Sequence, residues 1–183
     1  MDAEPSSDLR LALAAASGDA TAFEALIEQN YDLIYRLAWR FLGHRESAED
    51  VAQTVCIKLA DAIRTFRGES AFRTWVYRIT YNATVDHMRQ HQRLAPTEPS
   101  QVLRLADEVL PSVPSPEDDL LGSELWDAVR ALPGQQRDSV LLVYAEDMSH
   151  AEAARTMGVS EKTVSWHIHA ARKRLKTMLE SQS

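Results

Sequence analysis

Residues 66–93 read FRGESAFRTWVYRITYNATVDHMRQHQR and place five aromatic and five arginine side chains beside only two acids, Glu69 and Asp86. Aromatic rings give flat faces on which bases stack, and arginine supplies the charge that holds a phosphate backbone. Together they predict a platform for single-stranded nucleic acid. Part of the segment must be ordinary helix core, since Phe72, Val76, Ile79 and Ala83 recur at intervals of 4, 3 and 4 residues. Arg73, Tyr77, Tyr81 and Met88 fall on other faces, where the spacing gives the rings no packing duty.

A second basic stretch follows nearer the C-terminus. Ser149 and Glu152 have capping-box spacing, so a helix is predicted to begin there and to stop at Gly158. Ser160 is placed to cap the next helix, whose Val164, Ile168, Ala171 and Leu175 form an apolar seam. Its outward face reads Lys162, Ser165, Trp166, His169 and Lys173. A short helix, a glycine turn and a longer basic helix is the arrangement that sets a second helix into the major groove. Lys162 and Thr163, near the helix N-terminus and its dipole, suit phosphate, and Arg172, Lys173 and Arg174 suit the backbone further along. Ser165, Trp166 and His169 are placed to meet base edges, and none of them makes the bidentate guanine contact open to arginine.

The elements that must position these groups all show helical periodicity. Phe23, Leu26, Ile27, Ile34, Leu37, Ala38 and Phe41 make a stripe that ends at Gly43. Val51, Val55, Leu59 and Ala62 make another, and its opposite side carries Asp50, Gln53, Ile57 and Asp61. An isoleucine flanked by amide and carboxylate on a polar strip suits a docking surface. Ser70 is the predicted cap of the aromatic helix. Residues 94–121 lose the periodicity and gather Pro96, Pro99, Pro111, Pro114 and Pro116 among acids, which marks a linker that spans at most roughly 90 Å. The predicted fold is all-α: two small helical domains, 1–93 and 122–183, joined by a Pro-rich acidic linker, with a helix-turn-helix in the second.

The net charge of −7 conceals a partition. Residues 61–93 and 148–183 each carry 6 basic and 3 acidic side chains, whereas residues 94–147 carry 3 and 11. Two cationic islands in an acidic chain predict weak unaided binding to nucleic acid and delivery to it by a partner. No apolar run is long enough to cross a bilayer and the N-terminus lacks the plan of a signal peptide, so a cytoplasmic protein without membrane insertion is expected. The single Cys56 excludes an internal disulfide and fits a reducing compartment. No nucleophile–base set or phosphate-binding glycine loop is present, and the expected protein is no enzyme and uses no cofactor or small-molecule substrate. Asp86, His87 and His91 share a helix face, but their spacing matches no metal motif.

Three stretches in this order carry a family resemblance: SAEDVAQTVCIKLADA, FRGESAFRTWVYRITYNATVDHMR, and LPGQQRDSVLLVYAEDMSHAEAARTMGVSEKTVSWHIHAARKRL. The chain resembles the extracytoplasmic-function class of sigma-70-type sigma factors, the promoter-specificity subunits of bacterial RNA polymerase, from about Ala22 to Leu179. The resemblance implies that Asp50 and Gln53, with Ile57 beside them, meet the β′ clamp of the polymerase, and that the second domain meets the β flap. It implies that Phe66, Tyr77, Asn82 and Asp86 handle the unpaired strand of the −10 element while Arg78 and Arg89 hold its phosphates. Lys162, Thr163, Ser165, Trp166, His169, Arg172 and Lys173 would bind the −35 element, and an anti-sigma factor is an implied partner. The family usually has a glutamate at Thr54 and basic residues at Ser165, His167 and Ala170, so an unusual −35 target is expected. VSEKTVSWHI also resembles the recognition helix of LuxR-type regulators, which would require a βαβ receiver or ligand-binding domain that the patterning here does not supply.

Overall fold

The computed structural model describes residues 7–94 and 120–180, with side chains placed for 7–91 and 125–178. The linker expected at 94–121 therefore lies almost wholly outside the described residues. Every regular element among those described is helical. In chain order they are α1 Ser7–Ala16, α2 Ala20–Leu42, α3 Arg45–Ala62 extended by a 3₁₀ turn over Ile63–Thr65, and α4 Phe72–Leu94. After the linker come α5 Leu120–Arg130, α6 Gly134–Val140, α7 His150–Met157 and α8 Glu161–Glu180. They divide into two compact units, one of residues up to Trp39 with Glu46–Met88, the other of Arg40–Arg45 with residues from Arg89 on.

The core of the first unit draws mainly on the stripes that periodicity marked, although Phe23, Ile27, Ala62 and Ile79 are only half-buried and Leu33 and Trp39 join it from outside them. Leu26, Ile34 and Leu37 of α2, Val51, Val55 and Leu59 of α3, and Val76 of α4 are almost fully excluded from water. α2 stops at Leu42 because Gly43 takes φ +66, a left-handed conformation that a side chain resists. Helix α1 has no counterpart among the predicted elements. Its ten residues bury only Ala12 and Ala15, and so small an apolar footprint leaves little periodic signal. The start of α4 also differs: Ser70 and Ala71 precede it and the helix begins at Phe72, one residue beyond a Ser70 cap.

In the second unit, Val129, Leu132, Leu141, Leu142, Val164, Ile168 and Ala171 form the centre. Backbone after α6 widens into a π-turn over Leu141–Ala145, which keeps Leu141 and Leu142 inside and turns Tyr144 out. The cap of α7 is complete. Glu152 N donates to Ser149 Oγ at 3.2 Å, while Ser149 N and Oγ donate to the Glu152 carboxylate at 2.9 and 2.7 Å. The hydroxyl contact first, then the amide, hold the Glu152 carboxyl below the ordinary carboxylate range. A depressed folded pKa contributes stability that is complete at neutral pH and is lost as pH falls through that depressed value. Ser149→Ala is expected to lower stability by about 1 kcal/mol and to flatten the acid limb of stability against pH. Urea titrations at neutral and acidic pH check both.

Candidate nucleic-acid interface

α7 ends at Gly158, with φ +69, and Val159 N donates to Ala154 O, so the chain reverses in the few residues a helix-turn-helix requires. Ser160 then caps α8: its Oγ accepts from Thr163 N at 3.1 Å and pairs with Thr163 Oγ at 2.7 Å. Val164, Ile168 and Ala171 are buried and Leu175 is half-buried, which turns Lys162, Ser165, Trp166, His169, Arg172 and Lys173 to solvent. Trp166 is 61 % exposed and makes an edge-on ring contact with His167. An exposed indole on a helix surface has a large apolar face to offer a partner.

Position 167 explains part of what is unusual about this helix. The His167 ring is buried, and neither of its nitrogens has a hydrogen-bond partner among the described residues. It therefore belongs to the inner side of α8 and does not replace an outward cation. Arg172 is exposed, with its guanidinium bonded to the Tyr144 hydroxyl and 5.5 Å from the ring centroid. The π-turn that expels Tyr144 thus gives Arg172 a platform that fixes its direction.

One residue that the sequence did not single out stands beside this face. His150, the first residue of α7, has Nδ1 2.9 Å from Ser165 Oγ, and Ser165 Oγ also donates to Glu161 O at 3.1 Å. The pair is fifteen residues apart, beyond any periodicity, so only the folded turn brings it together.

On the first unit, α3 presents the strip Asp50, Gln53, Ile57 and Asp61, all exposed, opposite buried Val51, Val55 and Leu59. Ile57 leaves 64 % of its surface in water. Thr54 spends its hydroxyl on its own helix, bonding Asp50 O at 2.9 Å.

Helix α4 corrects the expectation of an aromatic platform. Phe66 is 7 % exposed and Tyr77 5 %, and Tyr81 is buried as well. Phe66 meets Phe72 edge-on at 5.5 Å and Trp75 at 5.3 Å, and Phe72 and Trp75 lie 5.8 Å apart, a three-ring core. Tyr77 carries the Arg73 guanidinium over its ring at 5.5 Å and accepts a 3.3 Å hydrogen bond from it. Neither Phe66 nor Tyr77 offers a face on which a base could stack. α4 is buried on more than one side because Thr80 and Thr84, both fully buried, satisfy their hydroxyls on Val76 O and Thr80 O of the preceding turn.

Among the exposed residues of α4, Arg78, Asn82, Asp86 and Arg89 form a stripe at intervals of 4, 4 and 3. Asp86 lies 3.8 Å from Lys58 Nζ of α3, which offsets its charge beside the arginines. Among the described residues, no group of three or more His, Cys, Asp or Glu side chains comes close enough to hold a metal. No described helix is long and apolar enough to cross a membrane.

Comparison with known proteins matches both halves of the chain. Residues 26–94 match the family described as Sigma-70 region 2, and residues 123–175 match Sigma-70, region 4. The chain is 30 % identical to the ECF RNA polymerase sigma-E factor of Haemophilus influenzae, across 97 % of this chain and 98 % of that protein. It is 32 % identical to the ECF RNA polymerase sigma factor SigE of Mycolicibacterium smegmatis, across 92 % of this chain and 66 % of that longer protein. Among solved structures, CnrH in complex with the cytosolic domain of CnrY superposes with a TM-score of 0.70 at 26 % identity, covering 96 % of this chain and 99 % of that one.

Proposed function

The chain belongs to the extracytoplasmic-function sigma factors of the sigma-70 family, and from that premise we propose how its surfaces divide the work of promoter recognition. It directs the bacterial RNA polymerase core enzyme to specific promoters and aids their opening, in the cytoplasm, without covalent chemistry or a cofactor. The α3 strip of Asp50, Gln53 and Ile57 docks on the β′ clamp, and the second unit meets the β flap. Arg78 and Arg89 of α4 hold phosphates of the opened −10 strand, and Asn82 and Asp86 between them meet base edges. Phe66 and Tyr77 act from beneath, as the floor that keeps this stripe in place. Lys162 and Thr163, with Arg172 and Lys173, grip the −35 backbone, while Ser165, Trp166 and His169 face its bases.

The carrying observation is the pairing of two exposed stripes, each on a helix within its own sigma-region match: Arg78 to Arg89 on α4, and Lys162 to Lys173 on α8. A LuxR-type regulator would leave the region 2 match unexplained. An anti-sigma factor is the regulatory partner we propose, in line with the CnrH structure, which was solved with the cytosolic domain of CnrY.

In vitro transcription with bacterial core polymerase on fragmented genomic DNA tests the function. Start sites sharing two spaced upstream elements are expected, and failure of the chain to associate with core overturns the proposal. Ile57→Glu probes the docking strip separately. It is expected to weaken core binding by about tenfold or more, as loss of an interface anchor does. Thermal stability should stay at the wild-type level, since Ile57 contributes little to the core.

A further inference from the structure

We propose that His150 fixes the hydrogen-bond polarity of Ser165, so that this serine reads an amino group on a base edge. The proposal rests on α8 being the helix that enters the major groove. A serine hydroxyl has one hydrogen and two lone pairs. The Glu161 carbonyl only accepts, so the Ser165 hydrogen is committed to it at 3.1 Å. The second contact, 2.9 Å from His150 Nδ1, is satisfied at the same time only when Nδ1–H donates to Ser165 Oγ, whereas the Nε2–H tautomer would draw the serine hydrogen away from Glu161 O. The Nδ1–H tautomer and the imidazolium both make this bond, and the readout requires His150 with a proton on Nδ1.

With its hydrogen used and one lone pair occupied, Ser165 has only an acceptor left for DNA. In the major groove the donors available to it are adenine N6 and cytosine N4, whereas thymine O4 and guanine O6 and N7 are acceptors and would be repelled. An unconstrained serine bonds to donors and acceptors alike and selects poorly. His150, which sits on α7 and not on the recognition helix, is thus a positioning residue that converts a permissive side chain into a selective one. This supplies directional readout at Ser165, where the resemblance leads one to expect a basic residue.

The test uses holoenzyme assembled from the full chain and core polymerase, transcribing promoters randomised across the upstream element, with transcripts sequenced. Wild type is expected to prefer an adenine or cytosine amino group at one position by about five- to tenfold. Ser165→Ala should erase that preference. His150→Ala should admit thymine and guanine there while leaving preferences at other positions and the thermal melt unchanged. His150→Asn, whose amide NH₂ can replace Nδ1–H, should restore selectivity. A His150→Ala profile identical to wild type, a loss spread evenly over all positions, or an Asn variant that behaves like Ala would each overturn the proposal. A wild-type chain that selects no upstream sequence at all would overturn the groove reading of α8 along with it.

Discussion

Arg78→Ala combined with Arg89→Ala is expected to leave core polymerase binding at the wild-type level and to abolish most open-complex formation. Both side chains are exposed on α4, so thermal stability should move by no more than about 0.5 kcal/mol. A hydrogen bond to a charged group contributes about 1.5–3 kcal/mol, so losing both arginines should cut occupancy of the opened strand by at least tenfold. The salt dependence gives an independent signature. If the two arginines neutralise two phosphates of a single strand, the slope of log affinity against log salt should become shallower by about 1.4. Permanganate footprints of the −10 region and strand binding at several salt concentrations check both effects. Footprints that match wild type would remove α4 from the opening step.

Phe66→Ala and Tyr77→Ala are expected to act through the fold. Truncating a buried aromatic costs about 3–5 kcal/mol, which in a domain of this size lowers the melting temperature by more than 10 °C. Phe66 also loses its edge and tilted contacts with Phe72 and Trp75, which deepens the effect. Tyr77→Phe separates floor from stacking surface. It keeps the buried ring and removes the hydroxyl, which accepts from Arg73, so promoter opening should stay near wild type. A Phe66→Ala protein that melts with wild type yet fails to open promoters would show that the ring meets the strand directly.

Much of the architecture was legible because the stripes of α3 and α8 are one-sided. Val51, Val55 and Leu59 lie inside, and Asp50, Gln53 and Ile57 lie outside, as their spacing predicts. Legibility failed where a helix is buried on several sides. In α4 the threonines at 80 and 84 read as polar, yet they sit in the interior by bonding back to their own helix, and Tyr77 and Tyr81 follow them inside. A count of aromatics beside arginines cannot tell a stacking surface from a ring core roofed by cations, since both need the same composition. The missed member on the second unit, His150, has a different cause. Its significance comes from Ser165 across the turn, a through-space relation with no trace in the local pattern of either residue.

A helix is also a ruler. The stripe from Arg78 to Arg89 covers eleven residue steps, about 16 Å of axial rise. At roughly 3.4 Å per stacked nucleotide, that length corresponds to about five nucleotides of one strand. If this stripe holds the strand, melted DNA beyond that extent has to be met by residues outside the stripe, on the rest of α4 between Phe72 and Leu94 or elsewhere in the transcription machinery.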